Sequence, residues 1–190
     1  MKKYVCFFAL LISGNCIASN NLEFFGKLTE STCDVGVSGS ESNTVNLPRI
    51  INSQLPDINS TAGLTPFLLM AKNCNVASGY TLVAAFFNAN NFDGDDVNNV
   101  DSATGYLNNL ASTSPASDVK LRIGDGVGHY IKVGSAYQVN DNKYKPFQYT
   151  GPSGGNMAYI PYIVEYIKTA DTGHDVGAVR GVVTYDLMYK

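Results

Sequence analysis

The chain has 190 residues, 45% of them apolar and 15% charged, and a formal net charge of −3. That length suits one domain or a small pair. An acidic balance without a basic cluster argues against a nucleic-acid partner, and no apolar run is long enough to span a bilayer as a mature helix. Frequent Gly, Ser, Asn and Thr, with 12 Tyr and 9 Phe, lean toward an all-β protein with many turns.

Residues 1–18 read as a signal peptide. Lys2 and Lys3 form the charged start, Val5 to Ile12 the apolar middle, and Cys16-Ile17-Ala18 the cleavage region. Cleavage after Ala18 removes two basic residues and no acid, so the exported chain is more acidic still. Cys6 and Cys16 leave with the leader. Cys33 and Cys74 remain, and an even pair in an exported protein points to a disulfide. A metal pair is the competing reading, and no nearby Cys or His completes such a site.

After a polar start, Leu22, Phe24, Gly26 and Leu28 alternate with Glu23, Phe25, Lys27 and Thr29. That period of two predicts a strand ending near Cys33. Gly36 to Asn43 is a turn-rich link. Val45-Asn46-Leu47 predicts a short strand stopped by Pro48, and Ile50 to Leu64 an irregular connection. Core strands are predicted over Pro66 to Cys74 and Tyr80 to Phe87. Asn88 to Ser102 is a loop crowded with Asn and Asp. Short strands follow at Tyr106 to Leu110, Val119 to Ile123 and Tyr130 to Val133, with a turn at Asp125-Gly126. Gly134 to Gly155 reads largely as loop. Met157 to Thr169 predicts a strand with Ile160, Tyr162, Val164 and Tyr166 on one face, and Pro161 points to an edge or a strand start. Asp171-Thr172-Gly173 is a turn.

The last stretch, Asp175 to Lys190, places Val179, Val183, Tyr185, Leu187 and Tyr189 at alternate positions, with Gly181 the gap in the row. Tyr and Val suit a pleated, half-buried surface. Nothing follows that could cover this strand as a hairpin arm, and a long apolar edge strand is an aggregation hazard. About eight short strands with turns between them predict a β-sandwich.

The chain resembles the pilins, the fimbrial structural subunits of the chaperone–usher pathway. Phe24-Phe25-Gly26 followed by Cys33 is similar to that family's opening. Cys33 and Cys74 look like its single disulfide, and Val45-Asn46-Leu47-Pro48 like the V-x-L-P that follows. Thr65-Pro66-Phe67 before Cys74, Ile160-Pro161-Tyr162 with Tyr166 and Gly173, Gly177 as fourteenth residue from the end and Tyr189 as penultimate complete the pattern. The resemblance covers nearly all of the mature chain. It implies an incomplete immunoglobulin-like sandwich lacking its last strand, with a pilin domain over residues 27–190 and an N-terminal donor-strand extension over residues 19–26. Leu22 and Phe24 would be the donor side chains. Gly177, Val183, Tyr185, Leu187 and Tyr189 would mark the groove-edge strand. A periplasmic chaperone would first fill the groove, and a neighbouring subunit would replace it at an outer-membrane usher, by β-augmentation. The route leads through the periplasm to a fimbria on the cell surface, in the service of cell adhesion. The extension before Phe24 is shorter than in many family members.

No catalytic site is expected. His129 and His174 lie in turn-rich stretches, and no G-x-S-x-G, H-E-x-x-H or phosphate loop is present. Phe92-Asp93-Gly94-Asp95-Asp96 lacks the alternate-acid spacing and closing Glu of a calcium loop, so neither metal nor cofactor is expected. The second reading is a minor or tip subunit that binds a host glycan or receptor. A separate receptor-binding domain, usual in such adhesins, has no room here.

Overall fold

The computed structural model describes residues 32–89, 99–149 and 155–190. Residues 1–18 and the proposed donor positions Leu22 and Phe24 lie outside these. Two antiparallel sheets form the fold. The larger runs in the order β1 (Thr32–Val37), β2 (Thr61–Asn75), β8 (Asn156–Lys168), β4 (Val119–Asp125), β5 (Tyr130–Ile131), with β7 (Gln148–Tyr149) also on β8. The smaller has β3 (Leu82–Asn88) between β6 (Lys145–Pro146) and β9 (Thr184–Tyr189). A 3-10 turn at Asn52–Gln54 and one helical turn, α1 (Gln138–Asp141), are the helical elements among the described residues.

The alternation read in the sequence builds the core. Leu69 and Ala71 of β2, Ile160 and Tyr162 of β8, and Leu121 and Ile123 of β4 face Val83, Ala85 and Phe87 of β3 across the two layers, all buried. Phe87 and Tyr162 meet edge-on with ring centroids 5.0 Å apart, a geometry favoured by the aromatic quadrupole. Cys33 and Cys74 form a disulfide, with Cα atoms 4.1 Å apart, beside the bulge where β1 meets β2.

Several sequence expectations are corrected. Val45 to Leu47 forms no strand, although Val45 and Leu47 pack on the core. Tyr106 to Leu110 contributes only the isolated bridges of Leu107 to Val100 and Leu121. Pro161 lies inside β8, which has β2 on one side and β4 on the other, rather than at an edge. The register explains why it is tolerated. Asp125 donates its N–H to His129 at 2.8 Å, away from β8, so odd residues of β8 turn their amides toward β4 by the antiparallel alternation. The ladder with β4 ends at the Asp125–Tyr162 pair, one step before Pro161, so no ladder bond is lost. Gly126 follows there, and a Cβ on it would lie 2.6 Å from Pro161 Cγ.

Candidate functional site

The site is the side of the sandwich where β9 and β1 form the sheet edges. β9 pairs only with β3 among the described strands. Leu82 and Lys190 exchange both backbone bonds, at 2.8 and 2.9 Å. Even-numbered residues of β9 therefore bond to β3, and the N–H and C=O groups of Tyr185, Leu187 and Tyr189 point the other way. Among the described residues no backbone partner meets them there.

The same odd residues aim their side chains at the core, yet they are not fully covered. Val183, Tyr185, Leu187 and Tyr189 all pack on the core cluster and remain half-buried. Val35 and Val37 of β1, with Val45 and Leu47 beyond it, do the same. The Tyr189 hydroxyl lies 3.8 Å from Cys33 Sγ, and its O–H points to the sulfur, which puts the two open edges side by side. The result is an apolar groove with unpaired backbone along one wall. Burial pushes the Tyr185 and Tyr189 phenols upward from their ordinary pKa, so the wall is uncharged at neutral pH.

The far edge of the smaller sheet is treated quite differently. Beyond the short β6, side chains finish the ladder on β3. Ala85 donates its N–H to the Tyr162 hydroxyl at 2.8 Å and accepts from Asn142 Nδ2 at 2.6 Å. Phe87 donates to Gln138 Oε1 and accepts from Gln138 Nε2, both at 2.9 Å. The Gln138 amide thus stands in for a strand's peptide group. Both Gln138 and Asn142 are buried. Burial raises the Tyr162 phenol to about 12, which keeps it neutral and bonded. One edge is closed residue by residue, and the other is open among the described residues.

Two glycines set the path into β9. Gly177 has φ 152°, and a Cβ there would lie 2.3 Å from the Ser114 carbonyl oxygen. That close approach lets Ala178 donate to Ser114 at 2.8 Å and accept from Ala116 at 3.1 Å. At Gly181 a Cβ would meet Leu121 Cδ1 at 2.9 Å and Leu107 Cβ at 3.2 Å, so the gap in the alternating row is where a side chain would crowd the core. The turn before it is held by buried Asp118, which accepts from Thr172 N at 2.7 Å, Thr172 Oγ1 at 2.6 Å and His174 N at 3.1 Å.

The family model for FimA, type-1 fimbrial protein A, matches residues 47–190. The chain belongs to this fimbrial family. It is 27% identical to the major fimbrial subunit SMF-1 of Stenotrophomonas maltophilia (strain K279a), over 91% of this chain and 94% of that one. It is 25% identical to the serotype 3 fimbrial subunit of Bordetella pertussis (strain Tohama I), over 86% and 83%. A chain from a chaperone–usher pilus structure superposes with a TM-score of 0.53 at 13% identity, over 92% of this chain and 97% of that one. At that identity the likeness shows the fold, an immunoglobulin-like sandwich. The fimbrial family is structural rather than enzymatic, and its members are components of surface pili.

The structure brings Val183, Tyr185, Leu187 and Tyr189 together on one wall of the groove, with the Cys33–Cys74 bridge beside Tyr189. Gly177 stands apart, at the loop contact that leads into the strand. The closing role of Gln138 and Asn142 is absent from the sequence reading, which leaves Gly134 to Gly155 as loop. Their spacing of four, which puts both on one face of a helical turn, is the signal that could have found them.

Proposed function

We propose that this chain is a structural fimbrial subunit that polymerises by donor-strand exchange. The N-terminal segment of one copy, residues 19–26 once a signal peptide of residues 1–18 is removed, enters the groove of the next. There it pairs with the free backbone of Tyr185, Leu187 and Tyr189. Leu22 and Phe24 lie two residues apart and point the same way on an extended strand, so both fall between the half-buried walls. Each contributes roughly 1.5–3 kcal/mol on full burial. Before assembly a periplasmic chaperone lends its own strand to the same groove, and an outer-membrane usher delivers the subunit to the fibre on the cell surface. Adhesion follows from the fibre.

The observation that carries this reading is the asymmetry of the smaller sheet. Side chains use their hydrogen bonds to close β3, while β9, among the described residues, keeps an open edge over an incompletely covered core. The names of the relatives, a major fimbrial subunit and a serotype fimbrial subunit, support a structural role over a glycan-binding tip module. The test is a synthetic peptide covering residues 19–26, added to a subunit lacking them. Binding only to the folded groove, it raises the melting temperature, and a peptide with Asp at both Leu22 and Phe24 does not. Equal shifts from the two peptides would show that the segment does not read the groove.

A further inference from the structure

Asn59-Ser60-Thr61 is the one N-x-[ST] triplet in the sequence. In an exported chain this is the acceptor pattern for N-linked glycosylation, and it serves on a surface loop. The structure puts it there. Asn59 lies in the connection that leads into β2, Thr61 is the first residue of that strand, and Asp57, Ile58 and Asn59 are all exposed. The backbone of the turn is tied down. Ser60 donates its N–H to the Asp57 carbonyl at 3.0 Å, and its hydroxyl donates to the same oxygen at 2.5 Å. Asn59 donates its N–H to the Lys168 carbonyl at 2.8 Å, and the Ser60 carbonyl accepts from Lys168 N at 3.1 Å. Asn59 has φ 71°, a conformation in which asparagine is enriched, so turn geometry alone accounts for an Asn here. What the carboxamide does separates that reading from a functional one. Asn43 and Asn73 also have positive φ, and each gives its carboxamide to the fold. Asn43 Oδ1 accepts from Val37 N at 3.0 Å, and Asn73 Nδ2 donates to Asp34 Oδ2 at 2.8 Å. The Asn59 carboxamide and the Thr61 hydroxyl make no hydrogen bond among the described residues, so both groups of the motif stand ready for an enzyme to engage.

We propose that Asn59 is a site of N-linked glycosylation, an inference that rests on the export reading above. The donor is an oligosaccharide carried on a polyprenyl pyrophosphate, and a transferase of the export compartment moves it. Asn59 Nδ2 bonds to C1 of the reducing sugar, and the bond from C1 to the pyrophosphate oxygen breaks. Polyprenyl pyrophosphate leaves with that electron pair, one amide proton passes to a base, and nothing is oxidised or reduced. Asp57, two residues before the acceptor, offers the transferase an exposed carboxylate, as Thr61 offers a hydroxyl two residues after it. The surroundings suit a bulky hydrophilic group. Ile51 and Ile58 of the same connection are 66% and 51% exposed, and a glycan on Asn59 shields Ile58 beside it. The groove stays free. β1 meets β2 only from Leu69 to Asn75, and the motif stands at the other end of β2, where Thr61 lies opposite Ile167.

The test is the intact mass of the subunit purified from the cells that make it, with tandem mass spectrometry to place any addition. The expected mass is that of the chain without its leader plus an oligosaccharide, carried on Asn59. Asn59→Gly suits the positive φ and removes the acceptor. Thr61→Val keeps the acceptor and the branched strand residue but removes the hydroxyl. Both lose the added mass, and Thr61→Ser retains it. A parent mass equal to the bare chain without its leader overturns the proposal and leaves export standing. A mass equal to residues 1–190 shows the leader retained, and sinks the export reading and this inference together. Added mass that persists in Asn59→Gly puts the sugar on another residue and also overturns the assignment.

Discussion

Gly177 and Gly173 both have positive φ, 152° and 83°, but only Gly177 is crowded. A methyl at Gly173 meets nothing within 4 Å, so Gly173→Ala costs about 1–2 kcal/mol for the backbone conformation alone. Gly177→Ala adds the collision with Ser114 and breaks the Ala178 bonds, and it exceeds that cost by a further 1–3 kcal/mol or so. Denaturant titration of the two variants measures the difference, and equal losses would contradict the close approach. Gln138 gives a second test at this scale. Gln138→Leu fills the space but orphans the Phe87 N–H, while the Phe87 carbonyl keeps its bond from Gly134 at 2.9 Å. The expected loss is about 1–3 kcal/mol. Carboxylates set the acid side. The Lys120 hydrogen bond to Asp101, with backbone bonds from Thr104 and Ala103, lowers its pKa from the ordinary 3.8 to about 2. Asp118 is lowered as well, chiefly by the Thr172 hydroxyl. A depressed folded pKa means that the unfolded chain binds protons first on acidification, so stability is fully present above about pH 4 and falls as pH drops toward 2. Melting temperatures from pH 6 to pH 2 follow this. Asp101→Asn, which cannot titrate, shows a shallower fall, and a slope unchanged from the parent would remove Asp101 from the account.

At the scale of the element, β9 obeys its parity. Tyr185 and Leu187 face the groove, while Asp186 between them is exposed and accepts from Asn88 Nδ2 at 2.8 Å. Tyr185→Asp with Leu187→Asp puts two charges where the wall is apolar and desolvated, and the soluble, chaperone-bound subunit is expected to disappear from periplasmic extracts. Asp186→Asn, one residue away, retains it. Normal yield of the double variant in complex would separate β9 from chaperone capture. This parity was legible in the sequence because a period of two, sustained over Tyr185, Leu187 and Tyr189, leaves little freedom in the register. The same holds for Ile160, Tyr162 and Val164. Elements that depend on side chains reaching across the fold were not legible. Gln138 reads as one more polar residue in a polar loop until the Phe87 peptide is placed beside it. Pro161 reads as an edge marker until the end of the β4 ladder is known. The ordered path of Val45 and Leu47 along the groove needs no backbone ladder, so the V-x-L-P stretch keeps its apolar alternation without becoming a strand.

At the scale of the whole molecule, the Cys33–Cys74 bridge closes a loop with a sequence separation of 41. In the chain-entropy model such a closure stabilises the fold by roughly 4 kcal/mol. Protein from an oxidising compartment, unfolded without reductant and treated with a thiol reagent, is expected to label at neither cysteine. Two labelled thiols would refute the bridge, and one would show that the leader cysteine Cys16 is retained. Side-chain closure of β3 reaches further still. Under the donor-strand proposal, a subunit that donates one strand and accepts one strand has a functionality of two, and units of functionality two can only add end to end. Had the Phe87 edge been left bare, a third junction would exist, and the same chemistry would branch and gel. The carboxamides of Gln138 and Asn142 occupy that third position from within, so under the same proposal the condensation of many copies has one dimension available to it: a thread.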